Sequence, residues 1–150
     1  MGVIDSRRKG SQSEREFSAL IHDHLSVRLV RILTQSRGGG HDLEPAPGEA
    51  GPVADVLRGL AFEVKRYGAI TPALLARFWA QACRQAEAAG LVPALCWRAD
   101  RHPWRVTVPL CWLAADMGAS WDVELTATLA VEAFALAVRE LAAGDETDEN

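Results

Sequence analysis

Cysteine is scarce in this 150-residue sequence. The three present, Cys83, Cys96 and Cys111, are odd in number, widely spaced and form no Cys-x-x-Cys pair. Neither a disulfide framework nor a zinc site fits that pattern. Long apolar runs are missing too. No stretch approaches the roughly 18 apolar residues of a membrane-spanning helix, so none is expected. The first residues, Met1 to Gly10, are polar and basic, unlike a secretory signal. A cytoplasmic location is expected. What is there is a globular composition, 49% hydrophobic and 24% charged, long enough for one domain with its own core.

A net charge of -4 argues at first sight against a polyanionic partner. The charge is unevenly placed, however. Up to Pro109 there are 15 Lys/Arg against 11 Asp/Glu; from Leu110 onward there are one Arg and nine Asp/Glu. A basic body with an acidic C-terminal portion is compatible with a polyanion on one face. Uneven surface charge with no partner fits as well.

Residues 1–10 read as a flexible basic arm. Ser11 to Leu25 reads as an amphipathic helix with Phe17, Leu20, Ile21 and His24 on one face, Ser11 as N-cap and Glu14 closing a capping box. Val27 to Thr34 reads as a strand, Ser36 to Gly40 as a glycine-rich turn, and Leu43 to Ala54, with Pro45, Gly48 and Pro52, as a loop. A core strand is expected at about 60–66, after a possible turn at Arg58-Gly59. A helix from Pro72 to Ala89 has Thr71 as cap and Gly90 as its stop. Strands follow at 91–98 and 104–109, then at 121–129, and a last helix at 131–141. Strand, helix and strand over 60–98 form a right-handed βαβ crossover with parallel strands. The fold class is therefore α/β, a mixed sheet flanked by helices on both faces.

The informative segment is Phe62-Glu63-Val64-Lys65-Arg66. Alternation on a strand puts Glu63 and Lys65 on one face. A carboxylate and an ammonium there are costly unless paired, solvated or functional. An ion pair on a wet edge strand is the plain reading. Upstream, Gly39-Gly40-His41-Asp42-Leu43 offers a second acid at the mouth of a neighbouring strand. Phosphodiester hydrolysis is commonly assisted by a divalent cation, and Mg²⁺ prefers carboxylate and water oxygens. Two acids on adjacent strands can hold it, while a nearby lysine orients the attacking water or offsets charge. Asp55 is the alternative second acid, across a hairpin from Glu63.

An acid followed by Glu-x-Lys resembles the signature of the PD-(D/E)XK nucleases. The segment Arg8-Lys9-Gly10-Ser11-Gln12-Ser13-Glu14-Arg15-Glu16 sharpens the likeness. It is similar to the opening of the archaeal Holliday-junction resolvases, which continue with a strand, a glycine-containing turn, a metal-binding Asp and Glu-Val-Lys. The resemblance covers roughly residues 7–109. Trp79-Ala80-Gln81-Ala82 and Pro103-Trp104-Arg105-Val106 resemble small nucleases of bacteriophage genomes. The resemblance implies a restriction-endonuclease-like fold and a metal-dependent DNA endonuclease acting on branched DNA as a homodimer. Asp42 and Glu63 match its metal acids, with Mg²⁺ or Mn²⁺ as cofactor. Glu14 matches the helix-borne acid that completes the metal site, and Lys65 the catalytic lysine. Glu16 is the fallback for Glu14, since the two lie about 200° apart round a helix. Arg7, Arg8, Lys9, Arg15, Arg37 and Arg66 are the expected DNA-binding residues. Rival readings are a nuclease on nicked, flapped or linear DNA, and a non-cleaving DNA-binding accessory protein.

Lesser candidates are Gln81 and Gln85 on the crossover helix and His41 beside Asp42. His22 and His24 point to different helix faces and are discounted as a metal pair. Trp79, Trp97 and Trp112 are expected in the core and Trp104 exposed, as a base-stacking candidate. In this reading residues 1–109 form a nuclease core, 110–143 an extension packed on the core or at a dimer interface, and 144–150 a disordered acidic tail.

Overall fold

The computed structural model describes residues 2–32 and 41–147, the side chains of 2–9 and 146–147 excepted. Six strands form one sheet in sequence order, β1 (Leu29–Arg31), β2 (Leu43–Pro45), β3 (Leu60–Tyr67), β4 (Val92–Ala99), β5 (Arg105–Pro109) and β6 (Thr126–Ala130). Only β3 and β4 run parallel. The helix that joins them, α3 (Pro72–Ala89), begins as expected. The Thr71 hydroxyl accepts from the Leu74 amide at 3.1 Å, Pro72 sits in the first turn, and Gly90 ends the helix in the left-handed region at φ 69°.

Helices cover both faces. On one lie α1 (Gly2–Leu25), α2 (Pro52–Arg58) and α5 (Val131–Thr147), which bury Phe17, Ile21, Leu57, Phe134 and Val138 against Leu43, Phe62, Cys96 and Val106. On the other, α3 buries Phe78, Trp79 and Ala82 against Leu95, with Trp121 beside them. A short helix, α4 (Leu110–Leu113), brings Trp112 into a stack with Phe134, ring centroids 5.6 Å apart.

Several elements differ from the sequence reading. Residues 2–10 are not an arm but the first turns of α1, so Ser11 lies mid-helix and caps nothing. Its hydroxyl accepts from Arg15 Nη2 instead, at 3.1 Å. Within the expected loop 43–54 lie β2 and the start of α2, because Pro52 serves as a first-turn residue rather than a breaker. Residues 121–122 form no regular element, 123–125 are a 3-10 turn, and the strand is confined to β6. The last helix runs on past Gly144 to Thr147. The expected turn 36–40 lies outside the described residues.

Residues beyond Pro109 join the same sheet and core. β6 pairs with β5 from Arg105↔Ala130 to Pro109↔Thr126. Phe134, Ala135 and Val138 of α5 are fully buried.

Candidate active site

The β2–β3 ladder has a single paired position, Leu43↔Phe62. One step further, Asp42 turns its carboxylate across the gap, and Oδ2 accepts from the Val64 amide at 2.8 Å. That amide has no ladder partner on β2, so Asp42 satisfies a donor that the parting strands leave open. Antiparallel register puts Asp42 opposite Glu63, a like-charge cross-strand pair that no packing argument favours. Glu63 is 3% exposed. Its Oε1 meets Lys65 Nζ at 3.3 Å, while Oε2 is buried with no hydrogen-bond partner. Lys65 in turn lies over the Phe78 ring of α3, 5.2 Å from its centroid. Glu14 approaches from α1 and pairs with Arg31 Nε at 3.2 Å.

The electrostatics mark these groups as one cluster. Burial, reinforced by the charge of Asp42, pushes the Glu63 carboxyl up to about 7, against the pull of Lys65. Burial also raises Asp42, opposed by the Val64 amide and Lys65. Glu14 is raised by burial and then by Asp42, with Arg31 opposing. His41 is buried, its Nδ1 has no hydrogen-bond partner, and burial lowers its pKa. Perturbed titratable groups gathered in this way mark a candidate functional site.

The structure thus brings Glu14, Asp42, Glu63 and Lys65 together. Asp55 stands apart on α2, its side chain 71% exposed and paired with Arg58 Nη1 at 3.0 Å. Gln81 lies half-buried on α3, one turn past Phe78 (sequence spacing three), and buried Gln85 Oε1 has no hydrogen-bond partner. The basic set is more scattered than expected. Arg15 is exposed and folds back on Ser11. The side chains of Arg7, Arg8 and Lys9, and all of Arg37, lie outside the described residues. Arg66 does not share the face of Glu63 and Lys65. It pairs with Glu16 at 3.4 Å and Asp100 at 3.3 Å.

Glu16 is the centre of a second, structural cluster. It also pairs with Arg98 and accepts from Trp104 Nε1 at 2.8 Å. Trp104 is consequently 4% exposed, its ring 5.5 Å from that of Phe17, and cannot present a face to a base. Arg31, the Val64 amide and Phe78 were missed as parts of the site. The amide and Phe78 carry no sequence signal, whereas Arg31 on a strand beside the acids carries a weak one.

Two carboxylates with one oxygen uncommitted fit a divalent cation that keeps several of its waters. Among the described residues no three His, Cys, Asp or Glu side chains form a ready cage. Any such ion would therefore be held by Asp42 and Glu63, with Glu14 joining only if released by Arg31.

A family model described as "Phage putative PDDEXK endonuclease" matches residues 5–138. The chain belongs to that family. The match runs through β6 and into the first half of α5, further than the 7–109 of the motif resemblance. Among solved structures, the Holliday junction resolvase of the archaeal hyperthermophile Archaeoglobus fulgidus is similar to this endonuclease-family chain at 17% identity. The TM-score is 0.43, with 90% of this chain and 96% of that one covered. No curated protein matches. Among the described residues no helix is long and apolar enough to cross a membrane.

Proposed function

We propose that this member of the endonuclease family is a divalent-metal-dependent DNA endonuclease acting on branched DNA, and that it works as a homodimer. The observation that carries the reading is the Asp42–Glu63–Lys65 cluster at the point where β2 and β3 part. Asp42 and Glu63 are the residues that would hold Mg²⁺ or Mn²⁺, which when bound supplies Lewis acidity and an activated water. The Val64 amide fixes the Asp42 carboxylate in place. Lys65, held between Glu63 and the Phe78 ring, keeps a positive charge where negative charge develops on a phosphoryl oxygen. Glu14, steadied by Arg31 and near enough to Asp42 to feel its charge, orients water. Arg7, Arg8, Lys9, Arg15 and Arg37 supply sequence-independent phosphate contacts. The preference for branched DNA rests on the Arg8-to-Glu16 motif followed in order by Asp42 and Glu63-x-Lys65. The homodimer follows from the substrate, since two cuts in a two-fold symmetric junction need two symmetric sites.

The test is cleavage of labelled four-way junction, flap, nicked and linear duplex DNAs with Mg²⁺ and with EDTA. Junction cleavage that requires Mg²⁺ is expected. Glu63→Gln and Asp42→Asn should each lower turnover by more than about 100-fold, the scale of losing an electrostatic catalytic group, while binding is kept. Asp55→Asn should turn over like wild type. Cleavage in EDTA, or loss of turnover in Asp55→Asn alone, would overturn the assignment.

A further inference from the structure

Beyond Lys65 the same face of β3 carries one more side chain, Tyr67, the single tyrosine of the chain. It is 46% exposed. Its inner side rests on Phe78, with ring centroids 4.9 Å apart and planes at 38°. Phe78 is itself buried and also bears the Lys65 ammonium. One rigid ring therefore supports both the proposed catalytic lysine and the exposed tyrosine.

Tyr67 stands where two hollows meet. One, of about 320 Å³, is lined by Gly10, Ser13, Val64 and Lys65; the other, of about 160 Å³, by Gln12 and Asp100; Arg66, Tyr67 and Gly68 line both. The floor past Tyr67 is open, since a Cβ added at Gly68 would meet only Asp100 Oδ2, at 4.0 Å. Arg66, the cation nearest in sequence, is spent on Glu16 and Asp100. What the groove offers beyond Lys65 is thus an aromatic face rather than a second phosphate contact. Successive same-face residues on a strand are roughly 6.6–6.8 Å apart, about one nucleotide step of an extended strand.

We propose that Tyr67 is a nucleobase-stacking platform beside the phosphate held at Lys65, and that it selects DNA in which the base at that position is unpaired. The inference rests on the endonuclease reading and narrows its substrate class. A paired base in a duplex has both faces covered by its neighbours, so only an unstacked base can lie on the ring.

The experiment compares wild type with Tyr67→Phe, Tyr67→Ala and Tyr67→Leu. Leucine keeps an apolar cover over Phe78 but removes the aromatic face. Fluorescence anisotropy in EDTA measures binding to a short single strand and to a blunt duplex, and thermal unfolding checks each variant. Tyr67→Phe should bind as wild type. Tyr67→Ala and Tyr67→Leu should weaken single-strand binding by about 5- to 150-fold, the worth of one base stack, with duplex binding within about twofold of wild type. A 2-aminopurine in the single strand should be quenched by wild type and Tyr67→Phe but not by Tyr67→Leu. Wild-type single-strand affinity in Tyr67→Leu, or an equal loss on both DNAs, overturns the platform. Plasmid cleavage with Mg²⁺ is read in parallel. Cleaving protein with an unaffected Tyr67→Leu sinks the platform alone, whereas wild type that neither binds nor cleaves DNA sinks the endonuclease reading with it.

Discussion

Removing the Glu63 charge should stabilise the metal-free protein, and by an amount that grows with pH. In the fold the carboxyl titrates at about 7; in the unfolded chain it returns to 4.5. The folded pKa is the higher one, so between those values the native state holds a proton that the unfolded state has lost. Stability from this group is complete below about pH 4.5 and falls as pH rises to about 7. Each pKa unit is worth about 1.4 kcal/mol, so at pH 8 the buried charge costs the fold on the order of 3 kcal/mol. The attraction of Lys65 is already inside that figure, because it is one of the influences setting the pKa. Glu63→Gln keeps the shape and removes the titration. Asp42 and Glu14 push stability in the same direction as Glu63 and His41 in the opposite one, so only the difference between variant and wild type isolates the group. Thermal unfolding in EDTA at pH 4.5, 6 and 8 measures it. The variant should match wild type at the lowest pH and exceed it by roughly 6–12 °C at pH 8, from about 2–4 °C per kcal/mol in a domain of this size. A difference that is flat with pH, or negative at pH 8, would refute the account of Glu63 as a buried charge awaiting a cation.

Replacing Arg7, Arg8 and Lys9 together by alanine should reduce the slope of log affinity against log salt by up to about 3, since each phosphate a cation neutralises adds about 0.9 to it. An unchanged slope would remove the start of α1 from the DNA surface. A chain ended at Ala114 should fail to fold, because it loses β6 and the buried Val131, Phe134, Ala135 and Val138. Removing a buried Phe side chain alone costs about 3–5 kcal/mol. Circular dichroism of the shortened chain decides whether residues 110–147 and the rest are one cooperative unit. Light scattering of the full chain at micromolar concentration should give a dimer, and a monomer there would sink the homodimer.

Legibility followed locality. The β3 face was readable because two-residue alternation puts Glu63 with Lys65 whatever surrounds them, and α3 because its cap, proline and glycine stop are all local signals. The same alternation places Arg66 on the opposite face, which its grouping with the DNA-binding residues overlooked. Pro45, Gly48 and Pro52 suggested a loop, yet proline at a helix start is favourable, and α2 begins there. Ser11 and Glu14 have the spacing of a capping box, but that spacing also recurs inside a helix, where Ser11 meets Arg15. Trp104 was misread because what buries it, Glu16 and Phe17, lies almost ninety residues away. No local pattern encodes so distant a neighbour.

The two glutamates of α1 show why a short motif alone does not assign roles. Glu14 and Glu16 flank Arg15, are the same residue type, and both lie in the Arg8-to-Glu16 segment. What separates them is the helix angle between them and the faces of the sheet they meet. Glu16 turns to Arg66, Arg98 and Trp104, and its carboxylate is fully used by donors. Its loss would leave buried donors unmatched, the effect of a structural residue. Glu14 turns to the gap between β2 and β3, where it has one cation and two like charges near it, and its proton affinity is raised rather than relieved. A carboxylate kept under such repulsion gains nothing for the fold. It makes physical sense where a positive ligand is expected, and that holds for Asp42 and Glu63 as well.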